Sequence, residues 1–263
     1  MKNNLLELFR PNGRPDRSMF LGMVVVQVLV TALIWFVSQS PLLPTPVEIV
    51  RALGRLTQEE NLVQELWTSM ALSLKSMALA TLFSLLIAYA TVIPFFRPLA
   101  FLVSKFRFLT LVGLSFVFTL MTHSGHSLKV WLLVFGITVF FVTNMVAVVQ
   151  SVTRNELNHA RTLRMSEWQV VWEVVILGRI DVVFELIRQN FAIAWMMLTL
   201  VEGISRAEGG IGTMLLNQNK HFRLDAVFAI QVVILLVGVF LDYGIGFLKR
   251  LFCPYAHLTL DQR

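Results

Sequence analysis

Five runs of near twenty apolar residues, at 19–37, 70–93, 131–149, 182–201 and 226–247, limit what this chain can fold into more than any other feature. A helix rises about 1.5 Å per residue, so about 20 residues cross the roughly 30 Å hydrocarbon layer of a bilayer. Lipid offers no partner for backbone N–H and C=O groups, so each run has to satisfy its own backbone as a helix. A sixth run, 108–121, is shorter. It reaches spanning length if its helix starts near Leu99 and lets Lys105 and Arg107 extend toward the headgroups. The expected fold is therefore an all-α, polytopic membrane protein with about six spans, at 19–37, 70–93, 99–121, 129–150, 182–201 and 226–248. Composition agrees: 56% of residues are hydrophobic and 14% charged, against about 25% charged in soluble domains.

An even number of spans places both ends on one side, and cytoplasmic loops are enriched in Lys and Arg. Putting the tails 1–18 and 251–263 in the cytoplasm, with the loop 153–181, leaves seven of the 22 basic residues outside: Arg51, Arg55, Lys75, Lys129, Arg206, Lys220 and Arg223. The formal net charge of +6 then reflects topology and requires no nucleic acid. Basic residues before the first run, and Ser38-Gln39-Ser40 after it, resemble a secretion signal, but the apolar run is too long for one. Cys253 is the single cysteine, which excludes an intrachain disulfide. No repeat at a fixed period occurs, so the region 19–250 reads as one membrane domain.

The loops carry little catalytic chemistry. His123 and His126 have no acidic or cysteine partner nearby in sequence to complete a metal site. Ser124-Gly125 lacks the upstream glycine of a hydrolase elbow, and Asp242 stands alone within the last span, without the second aspartate of an intramembrane protease. Gly209-Gly210-Ile211-Gly212 predicts a turn needing backbone freedom, but no Lys-Ser or Lys-Thr comes after it to make a phosphate loop. Asp225 is expected to cap the final span. In the first outer loop, Val47, Val50, Leu53, Leu56, Leu62 and Leu66 recur at helical spacing, predicting an amphipathic helix capped by Thr45 with Pro46 at its first position.

The polar island 154–181 is different. Ser166 with Gln169 three residues on forms a capping box, and Met165 is placed to staple onto Val170, so a helix is predicted to begin at Glu167. A shorter helix over about 154–163 precedes it. Two helices joined by a tight turn, bearing Arg154, Arg161, Arg164, Trp168 and Trp172, predict a knob that docks another protein.

Three segments, with a fourth after the first span, give this chain a family resemblance. Ala160-Arg161-Thr162-Leu163 with Trp168-Gln169-Val170 and Val174-Val175 resembles the cytoplasmic coupling motif, the EAA loop, of permease subunits of bacterial binding-protein-dependent ABC importers, in the nitrate, sulfonate and taurine branch. Arg188 and Ala194-Trp195 resemble the next span. Glu202, Gly210-Ile211-Gly212 and Phe222-Arg223-x-Asp225-x-Val227-Phe228-Ala229 resemble the loop and final span beyond it, and Leu43-Pro44-Thr45-Pro46 resembles the L-P-x-P segment after the first span. The chain departs from the pattern where Asn158, His159 and Ala160 stand for E-A-A, where Arg164 stands for the turn glycine, and where Leu177 and Asp181 stand for prolines. A non-glycine in a left-handed turn costs about 1 kcal/mol, which packing offsets or another turn shape avoids.

The resemblance implies a multi-pass protein of the bacterial inner membrane. It pairs with a second permease subunit, identical or not, and works with ABC ATPase subunits and a periplasmic or lipoprotein substrate-binding protein. ATP is bound by the partner ATPase, and no cofactor is implied for this chain. The implied ATPase interface is Ala160, Arg161, Thr162, Leu163, Arg164, Met165, Ser166, Glu167, Trp168 and Gln169, and the implied cargo is a small anion such as nitrate, sulfonate or taurine. Among polar residues inside the spans, Asn144, Asn190 and Glu202 are the pathway candidates, the alternative being hydrogen bonds between helices. A stand-alone secondary transporter or channel, and a membrane scaffold, share the span count; the first is expected to carry paired acidic residues at mid-membrane, and the second has no need of the knob.

Overall fold

A computed structural model describes residues 17–37 and 43–254. The expected tail residues 1–16 and 255–263, and the Ser38-Gln39-Ser40 site, lie outside the described residues. Among those described, the elements are α1 (Arg17–Val37), α2 (Pro46–Glu59), α3 (Leu62–Ala90), α4 (Arg97–Lys105), α5 (Leu111–Met121), α6 (Gly125–Gln150), α7 (Arg154–Thr162), α8 (Glu167–Val170), α9 (Ile180–Ile204), α10 (Ile211–Lys220) and α11 (Leu224–Phe252), with no strand.

By length and composition, four of these helices qualify as spans: α1, α3, α6 and α11. A bent pair, Pro94–Phe108 with Leu111–Met121, makes a fifth. At 25 residues α9 is long enough, but Asp181, Glu185, Arg188 and Glu202 lower its apolarity.

Parallel packing of α3 and α6 calls for a crossing between them. At one end of the molecule Thr91 shares a cavity wall with Val149 and Gln150. At the other, Glu65 at the start of α3 and Lys129 at the start of α6 both bond the 209–210 loop. Two consecutive helices that run parallel need a return crossing between them, and α4–α5 supplies it. The continuous span expected over 99–121 is corrected to a broken one, bent by 112°. Leu109 and Thr110 are extended, and Thr110 caps α5 by accepting from the Gly113 N–H at 3.3 Å.

A stripe of small residues on α3 makes its seam with α6. Ser69, Ser73, Ser76, Ala80, Ser84 and Ala88 recur every three or four positions and are all buried, letting the two backbones approach as small residues do in membrane helices. On α6, the most enclosed helix, Leu132, Leu133, Ile137, Phe141 and Met145 are buried and pack with Ala194, Leu198 and Val201 of α9.

A second apolar cluster joins α2, α10 and the start of α11 through Leu56, Ile211 and Ile230. Thr45 caps α2 as expected, with Pro46 in the first turn and Glu48 completing a capping box. The amphipathic helix does not continue to Leu66, however. Asn61 breaks the chain at φ 52°, and Leu62 and Leu66 belong to α3, which starts eight residues before the expected 70. Asp225 is not the cap of α11: it lies in the first turn and pairs with Arg55 of α2 at 3.1 Å.

These contacts define two ends. The far end holds α2, α10 and the starts of α3, α6 and α11. The knob end holds α7, α8, Thr91, Arg97, the start of α9 and Lys249.

Candidate functional site

The knob is built by local rules. Thr153 and Glu156 form a capping box, Thr153 Oγ1 accepting from the Glu156 N–H at 3.3 Å and Glu156 Oε2 from the Thr153 N–H at 2.9 Å. The same Glu156 carboxylate takes Nη2 of Arg179 at 2.9 Å, tying the front of α7 to the start of α9. The Thr153 N–H and the Arg179 guanidinium hold this carboxyl below its ordinary range.

The turn after α7 closes as a Schellman motif. The Arg164 N–H bonds the Arg161 C=O at 2.9 Å, and the Met165 N–H reaches the Ala160 C=O at 3.5 Å. Arg164 takes φ +59°, so the left-handed turn expected of a glycine is kept with an arginine in it. Ser166 then caps α8: its Oγ accepts from the Gln169 N–H at 3.4 Å, and Gln169 Oε1 accepts from the Ser166 N–H at 2.8 Å. The capping box and the start at Glu167 are those read from sequence.

Across the turn, Arg161 grips Glu167 with two parallel bonds of 2.9 Å, from Nε and Nη2. Its guanidinium keeps the Glu167 carboxyl below the ordinary range, and Glu167 in turn holds the Arg161 proton more tightly.

This geometry sorts the ten interface residues expected from sequence. Ala160 is buried, Met165 is half-buried, and Arg161, Ser166, Glu167 and Gln169 are engaged in holding the knob together. Thr162 turns its hydroxyl to the His159 carbonyl at 2.6 Å. The apolar side chains left in water are Leu163 at 61% exposure and Trp168 at 70%, joined by Trp172 at 56% one turn beyond, with Arg164 exposed beside them. After α8 the helix widens into a π-helical stretch, Val171–Ile176, in which the Leu177 N–H reaches the Trp172 carbonyl. A proline at 177 could not donate that bond.

The three pathway candidates do not converge. Glu202 is fully buried at the far end, where Ser69 Oγ donates to Oε1 at 2.6 Å and the Gly212 N–H to Oε2 at 2.7 Å. The Gly209-Gly210-Ile211-Gly212 turn wraps this carboxylate: Gly210 N–H bonds Glu65, Ile211 N–H bonds Ser69 Oγ at 2.8 Å, and Lys129, also buried, donates to Gly209 C=O at 2.8 Å. Glu202 thus acts as a latch between α3, α9 and α10. Asn190 lies twelve residues earlier on α9, about 18 Å along its axis. It is buried and gives Nδ2 to the Leu186 carbonyl at 2.8 Å. Asn144 is half-buried on α6.

Sequence reading missed four groups. Thr153 and Glu156 are legible as T-x-x-E. Lys129, counted as an outer-loop charge, is buried, and His126 meets Glu208 at 3.5 Å, an acidic partner 82 residues away. Asp242 is not alone: Arg188 of α9 approaches it at 3.6 Å, and Arg188 and Lys249 both hold Glu185, at 2.8 and 2.9 Å. Only the packing of α9 on α11 brings those four together.

Long apolar helices joined to a polar, capped helical knob define an all-α, polytopic membrane protein. Residues 5–252 match the family of binding-protein-dependent transport system inner membrane components, and the chain belongs to that family. It is similar to the taurine transport system permease protein TauC of Escherichia coli (strain K12), 25% identical over 262 residues that cover 91% of both chains. It is also 23% identical over 125 residues to a putative ABC transporter permease protein of Methanocaldococcus jannaschii, covering 48% of this chain and 47% of that one. The crystal structure of an amino acid ABC transporter with histidines has the same fold, with a TM-score of 0.59 at 17% identity, over 76% of this chain and 96% of its own. The protein is a permease subunit of an ABC importer.

Proposed function

We propose that the outward face of Leu163, Arg164, Trp168 and Trp172 is the seat of a separate cytoplasmic ABC ATPase, and that the knob passes nucleotide-driven movement of that ATPase into α9. The observation that carries this reading is a doubly capped, Schellman-closed helix pair that spends its own polar groups on rigidity and leaves two tryptophans and a leucine in water. A second permease subunit completes the pathway, and an external substrate-binding protein delivers cargo to the far end. The knob faces the cytoplasm in this reading, which the distribution of basic residues supports. Similarity to a taurine permease supports a small sulfonate as cargo.

Co-purification tests the docking. The tagged chain, extracted in mild detergent from cells expressing its ATPase, is expected to retain that ATPase; Trp168→Ala with Trp172→Ala should lose it without loss of membrane insertion. Full association by the double variant, or nucleotide-driven uptake by this polypeptide alone in liposomes, overturns the reading.

A further inference from the structure

Between α9 and α11 lies a groove of about 670 Å³, running from Thr199 and Gln231 to Asp242 and Tyr243, with Trp195 along its wall. Gln231 and Asp242 are eleven residues apart on α11, so the groove is about 16 Å long. Trp195 spends its indole N–H on the Ile234 carbonyl at 3.0 Å, which fixes its ring in place.

The knob-side end of this groove is lined by Asp242, and Arg188 of α9 approaches that carboxylate at 3.6 Å from beside the lining. The side chains of Arg188 and Asp242 remain 39% and 45% exposed, although Asp242 stands ten residues, about 15 Å, inside the end of α11 at Phe252. Charges at such depth face a bundle interior or a water-filled cavity, because hydrocarbon rejects them. The opposite side of α11 at the same level carries exposed Leu236, Phe240 and Phe247, which suit lipid. The groove side of α11 is mixed: it exposes Leu235 and Val239 as well, and its polar elements are Gln231 and, at the knob-side end, Asp242.

Within the charged group, Glu185 is fully engaged, with Arg188 at 2.8 Å and Lys249 at 2.9 Å. Asp242 is not: its 3.6 Å approach to Arg188 is longer than a hydrogen bond. Glu185, Arg188, Asp242 and Lys249 are two acids and two bases, so the group as a whole attracts neither a net anion nor a net cation. It offers one positive and one negative pole side by side.

We propose that this groove is a wall of the substrate pathway, and that Asp242 and Arg188 form a station in it for a small zwitterion. Asp242 takes the ammonium end and Arg188 the acidic end. A role in transport rests on the permease reading; water access to the Asp242 end of the groove is tested without it.

The test places single cysteines in a Cys253→Ser background and labels membrane vesicles with a charged, methanethiosulfonate-type reagent, which reacts only with thiols in water. Cysteines at Thr199, Gln231 and Val239 line the groove, and those at Phe240 and Phe247 serve as lipid-side controls. Groove positions should react at least about tenfold faster than the controls, as expected for water against hydrocarbon. Taurine and β-alanine should slow that reaction, ethanesulfonate and propionate should not, and Asp242→Asn should abolish the protection. Groove rates equal to the controls overturn the proposal outright; fast labelling with protection by the anions, or by none of the four, overturns the zwitterion station. ATPase co-purification from the same membranes reports on the docking separately, so the two readings fail independently.

Discussion

Gly210→Ala should be among the most damaging single-methyl additions in this chain. Gly210 sits at φ +109°, a region that side chains rarely adopt, and a Cβ there would lie 2.7 Å from Glu202 Oε2 and closer still to the rest of that carboxylate. Glu202 is fully buried. Moving it breaks its bonds from Ser69 Oγ and the Gly212 N–H, and each buried partner left unsatisfied costs about 1–3 kcal/mol. Backbone strain adds about 1–3 kcal/mol, for a total of about 3–9 kcal/mol. For a chain of this size each kcal/mol lowers the melting midpoint by roughly 2–4 °C, so the loss should exceed about 6 °C. Heat-induced aggregation of the detergent-purified protein, followed by size-exclusion chromatography, measures it. Gly54→Ala is the control: Gly54 lies inside α2 with nothing within 4 Å of its Cβ position, and alanine there should be neutral or stabilising by up to about 1 kcal/mol. A Gly210→Ala midpoint no lower than that of Gly54→Ala would refute the latch.

Ser166→Ala removes the α8 cap and should cost about 1 kcal/mol locally, seen as faster amide exchange over 167–170 with transport reduced but not lost. Arg161→Glu sets two carboxylates against each other and should loosen the knob, while Arg161→Glu with Glu167→Arg restores it; no rescue by the double exchange would make Arg161 a contact to the partner instead of an internal brace. Glu156 and Glu167 have lowered pKa values, so their contribution is present above the ordinary carboxyl range and is lost as pH falls through their folded values; exchange protection in the knob should hold at neutral pH and fail first in acid. Cysteines at Thr57 and Asn217 should react with an impermeant thiol reagent in intact cells and one at Ser166 should not, and reaction at Ser166 would reverse the topology.

Span-scale features and local caps are legible because each is a short-range rule. Ser166 and Gln169 specify a helix start wherever they fall, and twenty apolar residues specify a span. Failures begin where two distant segments decide. The break at Leu109–Thr110 has only a faint local sign, Thr110, whose hydroxyl caps α5. Asp225 has the composition of a cap, but Arg55, 170 residues earlier, claims it. Glu202 reads as a pathway residue because an acid inside a span is costly, and the structure meets that cost with Ser69 and a glycine turn. The serine stripe of α3 is readable as a packing seam from its spacing alone. Arg188 and Asp242 are each visible in the sequence, but their pairing is not.

Helix α9 is the member on which these contacts converge. Its start is bound to the knob through Arg179 and Glu156, its middle faces α11 through Arg188 and Asp242, and its far end closes the latch through Glu202. A rigid push on the knob would therefore reach both the groove and the far-end latch through one helix. The π-helical turn Val171–Ile176 between α8 and α9 is the weak link in that line, since its wider hydrogen-bond ring packs less tightly than an α turn. Deleting Val174 should restore α-helical register and rotate Trp168 by about 100° relative to α9. If the knob acts as a lever, the deletion should keep ATPase association, because the Leu163–Trp168 surface is intact, and uncouple it from transport. Association and transport retained together would mean that movement reaches the spans by another route, and the lever would have to be sought in α4, where Arg97 donates to the Thr91 carbonyl at 3.2 Å beside the same knob.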